Sequence, residues 1–306
     1  MTTPYQQSPQ AQPPARQAPY AGAQQAQQAQ QAPQGRQWQG GPGGYTSPIP
    51  IRPAHLGDAL ASEWTKLRSV RSTVWTLGVM IALMLGIGLL VALIISAGDP
   101  AISREGVLTL GFFGTLLGSI CVITLGVMTI ASEYSTGMIR TTLTACPSRV
   151  RVLAAKSVVF FLLVFAITTA TTAIVGALQT SILDAPSPTN DQWLKSTVGV
   201  GLYLAMLGLL SLAVGALIRH SAGAITVMIG VVLAPLVLAM FMASESLVTV
   251  RDYMFQYSIP NQLVVFYGDE GIVPGGPTGW DPLWIMLGVT AVAMAGALAA
   301  LNQRDV

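Results

Sequence analysis

The segment ASEYSTGMIRTTLTACPSRVRVLAAK, residues 131–156, is a short charged interruption between two long apolar runs. Its charged residues are one acid and four bases: Glu133, Arg140, Arg149, Arg151 and Lys156. A chain that re-enters an apolar run so soon after leaving one is typical of two membrane crossings joined by a polar turn. We therefore take this segment as the point at which the chain turns outside a membrane, and work outward from it.

The composition on either side supports a membrane protein. Only 9% of the 306 residues are charged, 52% are hydrophobic and the mean hydropathy is +0.59, whereas soluble domains are about 25% charged. Six uncharged runs are each close to the length of about 20 residues that a helical crossing requires. They cover roughly residues 74–95, 107–131, 157–180, 197–218, 222–242 and 283–301. The sequence predicts an all-α membrane protein with six transmembrane helices.

Charge placement predicts the orientation. Basic residues collect in the segments before the first run, between the second and third, after the fourth and after the sixth, and acidic residues collect in the other connections. Basic loops favour the cytoplasmic side. We expect a bacterial cell-membrane protein whose N-terminus, 131–156 segment and C-terminus are cytoplasmic.

The chain before the first run divides into two parts. Residues 1–50 are rich in Gln, Ala, Pro and Gly, a composition that predicts a disordered tail, either without specific activity or serving as a tether. Residues 51–306 form the predicted membrane domain, which opens with an amphipathic helix at about 55–71. Its apolar stripe is Leu56, Leu60, Trp64, Leu67, Val70 and Val74, which Glu63 interrupts. Trp64, Lys66, Arg68 and Arg71 are the residues expected at the interface with membrane lipids.

Two further regions have readable patterns. Glycines are spaced four or seven residues apart at Gly114, Gly118, Gly201, Gly208 and Gly215. This spacing predicts close packing within one helical bundle, with a seam between subunits as the second interpretation. The segment between residues 242 and 281 contains short apolar pieces, breakers and many aromatic residues. This pattern favours short re-entrant or interfacial half-helices.

Within the 131–156 segment the residue order predicts a small helix between two stems. Gly137 permits a sharp turn. Met138, Ile139 and Leu143 then form an apolar face at helical spacing. Ser148 is a candidate N-cap for the next helix. Such an amphipathic helix suits a groove on a partner protein.

The segment between the second and third of the six predicted spans resembles the cytoplasmic loop of ABC transporter permeases of the type-2 export class. The residues that carry this resemblance are, in order, Glu133, Gly137, Arg140, Pro147-Ser148-Arg149 and Lys156. The preceding stretch ASEWTKLRSVRSTVWTL, residues 61–77, resembles their elbow helix. The resemblance covers about residues 55–306.

The resemblance implies that residues 137–144 are a coupling helix that docks onto a separate ATPase subunit. The residues that it assigns to this docking region are Glu133, Gly137, Met138, Ile139, Arg140, Leu143 and Arg149. It also implies that Arg149 and Lys156 anchor the third helix. The expected partners are ABC ATPase subunits, which bind ATP and magnesium, and a second permease subunit, either an identical chain or a paralogue.

The chain itself lacks the motifs of the common hydrolases. No G-x-x-x-x-G-K-[ST], G-x-S-x-G or H-E-x-x-H occurs, and no Cys/His group has metal-ligand spacing. We expect no catalytic residue, no metal, no cofactor and no nucleic-acid partner for this chain. A secondary transporter and a non-transporting membrane anchor or immunity protein remain the alternatives, and an intramembrane enzyme is least favoured.

Overall fold

The computed structural model describes residues 55–98, 106–146, 148–184, 186–268 and 275–303. The predicted tail at residues 1–50 lies outside these ranges. Within them the chain is helical and contains no strand.

Six helical segments are long and apolar enough to cross a membrane, as the sequence predicts. They run Arg71–Ser96, Val107–Ser135, Arg149–Ile182, Asn190–Ile218, Ser221–Phe241 and Asp281–Gln303. Their main helices are α2 (Arg71–Ser96), α3 (Phe112–Ser135), α5 (Arg149–Ile182), α7 (Val200–Ile218), α8 (Ser221–Phe241) and α11 (Asp281–Gln303). Five of these six segments are longer than the predicted uncharged runs, so that α3 takes in Glu133 and α5 takes in Lys156.

Five shorter α-helices also lie in the described part of the chain. They are α1 (Leu56–Ser69), α4 (Met138–Ala145), α6 (Asn190–Leu194), α9 (Val248–Gln256) and α10 (Ile259–Val264). The first coincides with the predicted amphipathic helix at 55–71. Because the long helices alternate in direction, α1 and α4 lie at one end of the bundle, here called the α4 end. Helices α9 and α10 belong to the opposite end, here called the α10 end.

Helix α7 is the most buried of the long helices and contacts α3, α5 and α11. Small residues permit these helices to approach one another closely. A methyl group on Gly126 of α3 would overlap the carbonyl oxygen of Gly208 on α7, and one on Gly208 would lie 2.6 Å from the ring of Phe160 on α5. Without a hydrophobic driving force in lipid, such close approaches supply the packing. The other predicted glycines also face neighbouring helices. An added methyl group would overlap Met84 of α2 at Gly114 or Gly118, overlap Thr169 of α5 at Gly201, and lie 3.1 Å from Val127 of α3 at Gly215. The prediction that the spaced glycines pack within one bundle is confirmed.

The α10 end is closed by the segment that the sequence assigned to half-helices. All six residues of α10 are buried. Just after it, the Tyr267 hydroxyl lies 2.7 Å from the Thr115 hydroxyl at the start of α3. Phe266 packs against Tyr203 of α7 and against Trp280. Helix α10 therefore forms part of the packed bundle, whereas Gln256 is the one buried residue of α9.

We predict that Gly126→Ala lowers the free energy of unfolding by about 1–3 kcal/mol, since the added methyl group overlaps a backbone oxygen that cannot move alone. Thermal unfolding of the purified protein in detergent measures the change. Gly230→Ala in α8 is the matched control, because nothing lies within 4 Å of the position of its added methyl group. Equal melting temperatures for the two variants would contradict this account of the α3–α7 contact.

Candidate functional site

Four charged side chains meet at the α4 end and form a buried ionic cluster. They are Glu63 and Lys66 of α1, Glu133 of α3 and Lys156 of α5. Only 4% of Glu63, 5% of Glu133 and 2% of Lys156 is exposed. The cluster has no net charge, and it joins three helices that are far apart in sequence.

Lys156 is the centre of this cluster. Its ammonium nitrogen lies 2.6 Å from Glu63 Oε2 and 2.9 Å from Glu133 Oε1. It also donates to the carbonyl oxygen of Thr129, at 3.3 Å. An ammonium group has three protons to donate, so all three of its protons have acceptors.

Lys66 also has three hydrogen-bond acceptors, and it lies nearer the surface than Lys156. Its ammonium nitrogen lies 2.7 Å from Glu63 Oε1, 3.0 Å from Glu133 Oε1 and 3.4 Å from the hydroxyl oxygen of Thr142 on α4. Partial burial opposes its charge, but the hydrogen bonds and ion pairs to Glu63 and Glu133 outweigh that effect and raise the pKa of Lys66. It stays protonated at neutral pH, and its stabilising contribution is lost only as the pH rises through this raised pKa.

One acceptor in the cluster remains free. Glu133 Oε1 accepts from both lysines, whereas Glu133 Oε2 is buried and has no hydrogen-bond partner. A buried carboxylate oxygen without a donor is costly. Glu133 Oε2 is therefore an unused hydrogen-bond acceptor in the cluster.

Local sequence explains why α1 contributes to the cluster. Glu63 and Leu67 are four residues apart, so they share the face of α1 that packs on the bundle, and both are buried. Leu56, Trp64 and Val70 of the predicted apolar stripe are each about half exposed, so only part of the stripe packs on the bundle. Glu63, which interrupted that stripe, is buried because Lys156 of a distant helix neutralises it.

The other interfacial residues lie on the outside. Trp64, Arg68 and Arg71 are exposed, and only Lys66 of the four predicted elbow residues turns into the cluster. Their role in lipid contact stays a prediction.

Helix α4 begins and is held as the sequence predicts. Gly137 has a φ of +71°, the left-handed conformation that a glycine adopts without strain. Ser148 caps α5 by accepting from the backbone nitrogen of Arg151. Pro147 lies outside the described residues.

The predicted apolar face of α4 is divided, because Met138 is exposed whereas Ile139 and Leu143 point inward. Ile139 is buried and Leu143 is half-buried, and both line a small gap against Ile130 and Val152. These two residues therefore hold α4 on the bundle. The exposed residues of the helix are Met138, Arg140, Thr141, Thr144 and Ala145.

Arg149 connects two helices at the α4 end. Its guanidinium group donates to the backbone carbonyl of Leu301, so it ties the start of α5 to the last turns of α11. This accords with its expected role of anchoring the third span, whereas its assignment to docking stays a prediction.

Two cavities flank the ionic cluster. The first, here called the α1–α3 cavity, has a volume of about 270 Å³ and runs between α1, the start of α2 and the second half of α3. The second has a volume of about 340 Å³ and lies between α1, α4 and α5. Glu63 and Lys66 line both.

Only part of this cluster is readable from the sequence. Glu63 and Lys66 lie three residues apart on one predicted helix, and Glu133 is an acid in a basic segment. Lys156 was expected to anchor a helix, and Thr142 was not singled out. Their meeting depends on the tertiary packing of α1 against α5, for which no local pattern exists.

The fold and the apolar surfaces of its six long helices define a multi-pass membrane protein. A family model described as "Protein of unknown function (DUF2705)" matches residues 103–306, most of the chain, and the chain belongs to that family. The matched part includes Glu133 and Lys156 but begins after α1 and α2. No curated protein matches the chain.

We predict that Lys156→Met destabilises the protein by about 3–5 kcal/mol, because it leaves two buried carboxylates with Lys66 as their sole remaining cluster partner. Lys195→Met is the matched control, since Lys195 pairs with Asp191 at a partly exposed position where such a pair contributes about 1 kcal/mol or less. Thermal unfolding in detergent compares the two variants. A similar decrease in the free energy of unfolding for the two variants would show that the cluster stabilises the protein no more than an exposed ion pair does.

Proposed function

We propose that this chain is the permease subunit of an ATP-driven exporter and that α4 couples it to a separate ATPase subunit. The observation that carries the proposal is the ionic cluster at the root of α4. It joins α1, α3 and α5, and through Thr142 it also contacts α4.

This connection supplies a path for mechanical coupling. The inner face of α4 is fixed by Ile139 and Leu143, and its exposed face presents Met138, Arg140 and Thr144. A force applied to that face by a partner reaches α3 through Gly137 and reaches α1 and α5 through the cluster. An ATPase that closes on ATP would in this way tilt several spans together.

The proposed orientation follows the charges. Arg68, Arg71 and Arg140 are exposed at the α4 end, which under the positive-inside tendency favours the cytoplasmic side of a bacterial cell membrane. ATP is available there, so the ATPase subunits would dock at the same end. The chain carries no phosphate-binding loop of its own.

A second permease subunit would complete the transport path. Helices α2, α8 and α11 are the least buried of the six spans and present apolar side chains outward. Lipid covers part of such a surface, and a second copy or a paralogue is proposed to cover another part.

The position of the buried charges bears on the secondary-transporter alternative. Such proteins place ion-binding groups near the middle of the membrane. Glu133 is two residues from the end of α3, and Lys156 is in the second turn of α5. Charges at the ends of spans favour mechanical coupling over ion transport.

The first experiment is gentle purification of the tagged protein from its native membrane, followed by mass spectrometry of the proteins that accompany it. A stoichiometric ATPase with a phosphate-binding loop is the expected result. Its absence after crosslinking would contradict the exporter proposal and favour a membrane anchor.

We predict that Arg140→Glu abolishes co-purification of the ATPase without changing the melting temperature, because Arg140 is exposed on α4. Leu143→Asp, in contrast, lowers the melting temperature as well, because Leu143 packs inward. Arg71→Glu makes the same charge change at an exposed position outside α4 and is the control, which retains the ATPase. Loss of the ATPase in the Arg71 variant to the same degree would contradict a specific role of α4.

A further inference from the structure

The fourth span changes its helical geometry near the α10 end. A π-helical segment, Lys195–Gly199, joins α6 to α7. The backbone nitrogen of Val200 donates to the carbonyl oxygen of Lys195, five residues earlier, whereas α-helical bonds reach back four residues. The segment therefore contains one residue more than an uninterrupted α-helix would. Since one α-helical residue turns the chain by about 100°, this extra residue sets the direction that α6 faces.

A side chain supports this departure from the α-helical pattern. The hydroxyl group of Thr197 donates to the carbonyl oxygen of Trp193 at 2.5 Å. Hydroxyl groups commonly satisfy backbone carbonyls where a membrane helix departs from regular geometry. Single π-turns inside α-helices are uncommon and occur frequently at functional sites, so the segment is a candidate for a functional role.

The chain that follows the π segment is fixed in the bundle. A methyl group added to Gly199 would lie 2.9 Å from the ring of Phe266, and one added to Gly201 would overlap the hydroxyl oxygen of Thr169 on α5. Close-packed interiors of this kind tolerate little displacement. Helix α7 therefore moves only together with the helices around it.

The chain that precedes the π segment is held much less tightly. Trp193 is partly buried, and its ring lies against Gly176 of α5, where an added methyl group would approach it to 3.1 Å. The other four residues of α6 are exposed: Asn190, Asp191, Gln192 and Leu194. The packing of α6 on the bundle therefore depends on one aromatic ring.

There is also room beside α6. A cavity of about 300 Å³ lies between α6 and the loop before it on one side and the start of the second span on the other. Gln192, Pro188, Leu108 and Tyr267 are among its lining residues. Because this space exists already, α6 can shift towards it without repacking of the core around α7.

We propose that the π segment Lys195–Gly199 is a hinge at which α6 swings relative to α7. The swing lifts Trp193 from Gly176 and opens the α10 end between α5 and α6, while α7 keeps its contacts. In an exporter this movement is the outward opening, and that use of the hinge rests on the proposed function. The hinge itself is a property of this chain alone.

The test is amide hydrogen exchange of the full-length protein in nanodiscs, without any ATPase. The reference is Met286–Thr290 of α11, which begins five residues after the start of its span, as Lys195 does in the fourth span. The fourth span is more buried than α11, so burial by itself predicts slower exchange at Lys195–Gly199. Local opening at a hinge predicts the reverse, exchange faster than in the reference by about tenfold or more.

Two variants change the hinge in opposite directions. Trp193→Ala removes the ring that holds α6 on α5 and speeds exchange at Lys195–Gly199 by a further factor of about ten. Trp284→Ala is the matched control, because Trp284 lies at the same end and is exposed, and it leaves this exchange unchanged. Deletion of Val198 removes the extra residue, restores a regular α-helix and slows the exchange to that of the reference.

Exchange at Lys195–Gly199 no faster than in the reference, or an equal response to Trp193→Ala and Trp284→Ala, would overturn the hinge. If the deletion variant does not yield a monodisperse protein, the wild-type protein and the two tryptophan variants decide the matter. Where an ATPase co-purifies, ATP and magnesium are expected to speed exchange at Lys195–Gly199 in the complex. An unchanged rate there would overturn the role in outward opening, whereas failure to find an ATPase would contradict the exporter proposal and leave the hinge standing.

Discussion

The ion pairs among Glu63, Lys66, Glu133 and Lys156 are the interaction on which the α4 end of this protein depends. Removing four charges from water is costly, and the cost is recovered only when each charge has partners at close range. Here the lysine protons have acceptors and three of the four carboxylate oxygens have donors. Such a cluster specifies an arrangement more than it stabilises one, because a shifted α1 would leave a buried charge without its partner.

The cluster complements a different kind of packing deeper in the bundle. Around α7 the helices are held by close contact of glycines with backbone and aromatic atoms, as between Gly126 and Gly208. Such contacts are short-range and tolerate little movement. The ion pairs at the α4 end and the close-packed small residues in the middle hold the helices in a rigid arrangement. The exposed face of α4 lies on the outside of this arrangement.

The sequence by itself determined the six spans, the amphipathic helix before them and the half-helices near the α10 end, because hydropathy and helical period are local properties. It also determined the turn at Gly137 and the cap at Ser148, which depend on the conformations of single residues. It did not identify Glu63 as a residue of the buried face of α1, because a carboxylate interrupts an apolar stripe, or Ile139 as a residue that packs on the bundle. Only the tertiary structure decided these points, because Glu63 and Lys156 are 93 residues apart and burial of a charge depends on a partner that no local pattern can identify.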